Sequence, residues 1–305
     1  MNPEIEQRLN LSHPLQARKW LRLLKEDAVV GILMPPSLHL DSSYFGFSFA
    51  SNALGLRGSA NQDADSVIMG TSFAMGLGVD NGCNWYECDP RFDSWLNLGF
   101  PVGIREWVAL LAKHHRGDRR RLLILYHPNT WNMSWQYARW RASGRGVFAH
   151  FGWKTGRLAC WRLALQKRLA QRRQVAAGDL LRFRQGAFDY EAPARFTFFN
   201  WHGKEQFVAT ILDELRTCLR RFEHAFVVRV PVKQQLVPQE HRNPTLDATL
   251  ANYDELWQQT TDALGEAATC TELDGFNLDD YLPRDVHWNG RGNRKAASLL
   301  AAQVF

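Results

Sequence analysis

Ser72 follows a short apolar run, Val67-Ile68-Met69, that closes on Gly70 and Thr71. A bounded apolar run of this length predicts a buried strand. A serine directly after such a strand lies at the carboxyl end of a sheet, where open α/β folds keep their sites. The glycines of this stretch allow a tight turn and leave room for a ligand. A serine hydroxyl is a weak nucleophile and needs a base. In Pro283-Arg-Asp285-Val-His287-Trp-Asn289, extended backbone turns residues two apart to the same side, so Asp285 and His287 face together. A carboxylate there fixes the imidazole tautomer, which is the base–orienter half of a nucleophilic triad. An acyl-transfer site also needs oxyanion donors. The Asn129 side chain, the Ser72 backbone N–H and a backbone N–H from the Gly99–Gly103 turn, assigned to Gly103, are the candidates. The plainer alternatives are a small-residue βα turn, a surface loop with an incidental Asp and His, and a turn asparagine after Pro128. His127 has no paired carboxylate and is expected to be structural.

These residues need a sheet to bring them together. Apolar runs at Val67–Met69, Ser94–Leu98, Arg121–Tyr126, Phe226–Val230 and Ala267–Leu273 predict strands, and the continuous run RLLILY has the character of a buried parallel strand. Between them, Ile104, Trp107, Val108 and Leu111 predict one amphipathic helix, and Val208, Ile211, Leu215, Leu219 and Phe222 another. Leu250, Tyr253, Trp257 and Leu264 mark a third, and a last helix covers about 291–303. Strands alternating with such helices imply a three-layer α/β/α sandwich on a five-stranded parallel sheet. Residues 1–60 form an N-terminal extension, with a helix near 17–26 and a short strand over 28–34. The main domain is 61–305, interrupted over 131–204 by a Trp/Arg-rich insertion with no clear strand–helix alternation. Within it Leu158, Trp161, Leu165 and Leu169 mark one face of a basic helix.

A chain of 305 residues has ample interior for a core, and its 45 % hydrophobic and 22 % charged content is that of a globular protein. No apolar run reaches the roughly 18 residues of a membrane span. The N-terminus mixes acids and bases, which fits a cytoplasmic protein, or a periplasmic one if an export segment precedes it. The five cysteines, Cys83, Cys88, Cys160, Cys218 and Cys270, are odd in number and scattered, so free thiols are expected. No Cys/His group has metal spacing, and neither metal nor cofactor is called for. The net charge of +6 is concentrated near 154–184. That concentration favours a solvated helix face over an anionic partner, and no nucleic-acid partner is expected.

Taken in order, these parts resemble the four blocks of the SGNH (GDSL-type) hydrolases. Gly70-Thr71-Ser72 matches the nucleophile block, Asn97-Leu98-Gly99 with Gly103 the glycine block, Asn129 the third, and Asp285-Val-His287-Trp-Asn-Gly the last. The likeness spans about 52–130 and 205–305. Asn-Ala-Leu-Gly-Leu-Arg-Gly ahead of the first core strand and Val230-Pro-Val-Lys-Gln235 after the fourth resemble the bacterial branch that modifies polysaccharides with acetyl groups. There are departures. Thr71 stands where the common motif has Asp, Val102 takes the glycine's place in strict register, and one residue rather than two separates Asp285 from His287.

The resemblance implies a flavodoxin-like SGNH fold and a serine-dependent acyl-ester enzyme acting through an acyl-Ser72 intermediate. It points to an acylated small molecule or carbohydrate as substrate, and to a carbohydrate O-acetylesterase or a polysaccharide O-acetyltransferase. A non-catalytic carbohydrate-binding protein on the same fold is one alternative. A phosphate- or nucleotide-binding doubly wound domain is another, although phosphate-loop lysine and dinucleotide glycine spacing are lacking. In the insertion, Trp131, Trp135, Trp140, Trp153 and Trp161 either stack on sugar or form a small satellite core. Arg139, with Arg141 and Arg145, either holds a substrate carboxylate or phosphate or is solvated.

Overall fold

A computed structural model of the chain describes residue 9 and residues 14–150, 180–185, 188–193 and 199–305. Five strands form one all-parallel sheet: β5 (Ser66–Gly70), β6 (Leu96–Asn97), β7 (Arg121–Tyr126), β10 (His224–Arg229) and β11 (Thr269–Glu272). They lie in the order β11-β10-β7-β5-β6. In chain order that is 2-1-3-4-5, so the winding reverses between β5 and β7. A crevice opens beyond the carboxyl ends of the strands at such a reversal. The pairing Gly70↔Leu125 puts those two carboxyl ends side by side.

Side chains on these strands alternate between two cores, as the pleat requires. Val67, Met69, Leu122, Ile124, Tyr126 and Val227 enter one. Helices α4 (Ile104–His114), α7 (Glu205–Leu219) and α8 (Pro244–Leu264) cover it. Ile68, Leu123, Leu125 and Val228 enter the other, against α9 (Gly290–Val304) and the aromatic turns around Trp85 and Phe92. The three-layer α/β/α architecture expected from the sequence is therefore present. The edge strand β6 is shorter than the run Ser94–Leu98, because Ser94 and Trp95 belong to a turn, with the Trp95 N–H bonded to Phe92 O at 3.0 Å.

Two segments differ from their sequence expectation. The N-terminal part folds as α1 (Pro14–Leu23), the hairpin β1 (Lys25–Asp27) with β2 (Gly31–Leu33), and a second small pair, β3 (His39–Leu40) with β4 (Phe49–Ala50), around α2 (Ser42–Phe45). Its Val30, Ile32, Phe45, Phe47 and Phe49 share the first core with the sheet, so the extension is packed onto the domain. The second difference lies after β7. Residues assigned to an irregular insertion from Trp131 onward form α5 (Asn129–Ser143), a regular crossover helix ended by Gly144 with φ 62°. Trp and Arg are spread around all sides of α5, so its period is hidden in the sequence. A short α6 (Val147–His150) follows. The insertion also contains the antiparallel hairpin β8 (Leu180–Gln185) and β9 (Phe188–Pro193). The basic helix expected over 158–169, with Trp153, Trp161 and Cys160, falls outside the described residues. Among those described, no helix is long and apolar enough to cross a membrane, and Cys83, Cys88, Cys218 and Cys270 are free.

Candidate active site

Strand β5 delivers Ser72 to the reversal point. Gly70 adopts φ 141°, a conformation that L side chains avoid, and a Cβ there would lie 2.8 Å from Leu125 O and from Ala74 Cβ. Only glycine lets the chain leave the sheet so close to β7. Ser72 then opens the one-turn helix α3 (Ser72–Met75), whose first backbone bond is Met75 N–H to Thr71 O at 3.1 Å. The Ser72 N–H precedes that ladder, as the leading donors of any helix do.

The other half of the site comes from the far end of the chain. Residues 280–289 close into a tight loop: Leu282 N–H donates to His287 O at 2.9 Å, and Asn289 N–H to Asp280 O at 3.0 Å. Asn289 caps α9 by accepting from Gly292 N–H at 3.0 Å, and its amide donates back to Asp279 O at 2.8 Å. The loop presents His287 to the serine. Ser72 Oγ and His287 Nε2 are 2.7 Å apart, and His287 Nδ1 hydrogen-bonds Asp285 Oδ1, which also accepts the His287 backbone N–H at 3.2 Å. The Asp285 carboxyl is buried, whereas an edge of His287 stays open. This pattern fixes the tautomer with the proton on Nδ1 and a lone pair on Nε2 facing the hydroxyl. Phe73 supports the arrangement. Its ring lies 5.3 Å from the His287 ring and 4.8 Å from both His127 and Trp288.

Strand β7 ends beside this group. His127 is buried, and its Nδ1 accepts the Asn129 backbone N–H at 3.2 Å. Burial, and secondarily the charge on His287, push the His127 imidazole down to about 3, so it is neutral near pH 7. That suits the structural role expected for it. Asn129 begins α5, half-buried.

The glycine block divides into two functions. Asn97 donates to Ala74 O at 3.1 Å and accepts from Gly99 N–H at 2.8 Å, tying β6 to the serine helix. A Cβ on Gly99 would sit 2.6 Å from the Ala74 backbone, so this glycine is what permits contact with α3. Gly103 lies instead at the start of α4, against Ser134 of α5, and the adjoining Ile104 N–H donates to Ser134 Oγ at 3.0 Å. Gly103 is thus fastened to the helix that Asn129 opens, while Gly99 is the glycine set against the Ser72 helix.

The aromatic residues assigned to substrate resolve differently. Trp131 is fully buried and donates from Nε1 to Tyr126 Oη at 2.7 Å. The sugar-stacking role is therefore corrected for Trp131, which is part of the first core. Trp135 is half-buried among Phe199, Phe207 and Lys204, and Arg139 is exposed on the same helix. Arg141 is engaged with the buried Glu106 at 2.9 Å. A cavity of about 650 Å³ lies along β6, lined by His39, Asn52, Arg57, Asp93, Trp95 and others, and none of the triad residues borders it. Among the described residues no cluster of His, Cys, Asp or Glu could hold a metal ion.

Two residues absent from the sequence-based site assignment stand out. Arg57 and Lys233 are both completely buried cations. Arg57 donates to Val79 O at 2.8 Å, to Asn81 Oδ1 at 3.0 Å and to Gly76 O, holding the segment that follows α3. Lys233 holds the Asp285 loop. The sequence signals were a charged residue beside apolar neighbours, in Gly-Leu-Arg57 and Pro-Val-Lys233, and their place in the two segments, 52–58 and 230–235, that carry the resemblance to the polysaccharide-modifying branch.

Comparison of the chain with protein-family models, with curated proteins and with solved structures returns no match.

Proposed function

We propose that this chain is a serine-dependent acyl-ester hydrolase of the SGNH kind, acting as a carbohydrate O-acetylesterase. One observation carries the reading: an unbroken hydrogen-bond relay, Ser72–His287–Asp285, at the sheet's reversal point. The carbohydrate and acetyl parts rest on the likeness of the Asn52–Gly58 and Val230–Gln235 segments to the polysaccharide-modifying branch. His287 Nε2 takes the Ser72 proton as Oγ attacks the acyl carbonyl, and Asp285 balances the imidazolium that forms. The tetrahedral oxyanion is met by the Ser72 N–H and the Asn129 amide. The Gly99, Phe100 and Val102 N–H groups are already bonded within the fold and Gly103 faces α5, so the donor assigned to Gly103 is withdrawn. His287 then protonates the departing alcohol oxygen, leaving acyl-Ser72. Water, deprotonated by His287, attacks the acyl carbon and releases the acid and free Ser72.

The decisive test is turnover of p-nitrophenyl acetate by wild type, Ser72→Ala and His287→Ala, with intact mass after fluorophosphonate treatment. Wild type is expected to turn over and gain one adduct, and each variant to lose about 10⁴-fold or more in kcat. A folded wild type that is inert and unlabelled would remove the hydrolase reading and leave the carbohydrate-binding one.

A further inference from the structure

Building on that reading, we infer that Lys233 is the positioning residue of the base loop, clamping the segment that carries Asp285 and His287 and tying it to the β8–β9 hairpin. Lys233 begins a single 3-10 turn after β10, Lys233–Leu236, and its side chain has no exposed surface. Its three N–H donors are shared among four carbonyl oxygens, Leu282 O at 2.8 Å, Asp285 O at 3.0 Å, Glu191 O at 3.1 Å, and Pro283 O. Three of these four acceptors lie within four consecutive residues of the base loop, and the fourth is on β9. The hairpin meets the same place directly, through Glu191 N–H to Pro283 O at 3.0 Å. It is anchored nearby by Tyr190 Oη to Asp279 at 3.1 Å.

A lysine is an expensive filler for a core, because its charge must leave water. A methionine would occupy similar volume without that cost. What methionine lacks is a multivalent donor, and four inward-turned carbonyls need one. The lysine head group therefore draws backbone oxygens of separate segments to one point. The charged and titratable groups around it are the Asp285 and Glu191 carboxylates, with the Tyr190 ring 5.3 Å away. Burial pushes the amine down to about 7, against the opposing pull of Asp285 and Glu191. The two base-loop residues with catalytic roles, Asp285 and His287, stand at and just past the end of the clamped stretch. A displacement of about 1 Å in such a group costs on the order of 10²-fold in rate.

The test compares wild type with Lys233→Met. It uses the downfield proton resonance of the Asp285–His287 hydrogen bond, the kinetics of p-nitrophenyl acetate hydrolysis, and thermal melting. A folded Lys233→Met is expected to lose or broaden that resonance and to drop kcat roughly 10²-fold with KM within about twofold. A variant that melts earlier yet keeps both the resonance and kcat overturns the inference, since a merely structural lysine would behave that way. Should Lys233→Met not fold, ¹⁵N-lysine-labelled wild type takes its place. Charging His287 by phosphonylating Ser72 is expected to shift the slowly exchanging Lys233 ammonium signal, and an unmoved signal overturns the inference. Should wild type be inert on the acetate, the hydrolase reading fails. The Asp285–His287 proton resonance, compared between wild type and Lys233→Met, still decides the clamp.

Discussion

The two halves of the site are held by different means. The nucleophile half is local: Ser72 sits two residues beyond β5, and the register Gly70↔Leu125 fixes where the turn begins. The base half is remote, 215 residues away along the chain, and reaches the serine on a loop bracketed by contacts with β9, with the turn after β10 and with α9. Each half has a buried cation that gathers backbone carbonyls, Arg57 behind the serine helix and Lys233 behind the Asp–His loop. The two cations differ in chemistry. A guanidinium keeps its charge at any working pH, whereas burial brings the Lys233 amine down to about 7. The serine side is thus clamped by a permanent charge, and the base side by one that titrates near neutrality. The comparison teaches that a turn made by its own strand is placed by register, whereas a loop distant in sequence is placed by side-chain and backbone contacts with several other segments.

Asp285→Asn strikes the base half hardest. It removes the charge that orients and stabilises imidazolium, and kcat for an aryl acetate is expected to fall about 10⁴-fold with little change in melting. A drop of tenfold or less would mean that another group orients His287. Asn129→Ala probes the β7 side. As an oxyanion donor it is expected to supply about 3–4 kcal/mol, a fall of 10²–10³-fold in kcat with KM nearly constant. Unchanged kcat would remove Asn129 from the oxyanion site.

Arg57→Met is the counterpart of the lysine substitution. It leaves the Gly76 and Val79 carbonyls without their donor, for an expected loss of about 2–4 kcal/mol in urea unfolding. Folded protein should keep most of its kcat, because Gly70 and β5 still place Ser72. Equal loss of kcat in the Arg57 and Lys233 variants would erase the contrast between the halves.

A pH slope probes the β7 side once more. His127 holds its proton far less readily in the folded chain, at about 3, than in the unfolded chain, near 6.5. Between those values the unfolded state binds the extra proton, so stability is lost as pH falls, by at most roughly 1.4 kcal/mol per unit from this group. His127→Asn keeps an acceptor for the Asn129 N–H without titrating there. Urea midpoints measured from pH 7 to pH 4 should fall less steeply for this variant than for wild type.

Much of this was legible from residue order. RLLILY, FVVRV and the short run before Gly70 specified buried parallel strands, because both faces of such a sheet are covered and apolar residues need not alternate. Asp285 and His287 do meet, but in a tight loop where Asp285 Oδ1 accepts the His287 N–H rather than on the extended backbone assumed from the sequence. The serine announced its place at a sheet edge. Helix α5 escaped notice because tryptophan and arginine occupy all its sides, and the burial of Trp131 depends on Tyr126 and Phe199, which approach it only in three dimensions.

What the sequence by itself determined was the strand pattern and the identity of the residues that meet at the candidate site. Pairing order was left to the tertiary structure, and with it the reversal between β5 and β7 that sets Ser72 beside the ends of two strands. The approach of His287 to Ser72 was decided there as well, together with the burial of Lys233 under four carbonyls. The physical reason is range. Propensity and periodicity act over a few residues, whereas the desolvation that makes a lysine a clamp, and the contact that makes a serine and a histidine a pair, exist only after distant segments have closed on one another.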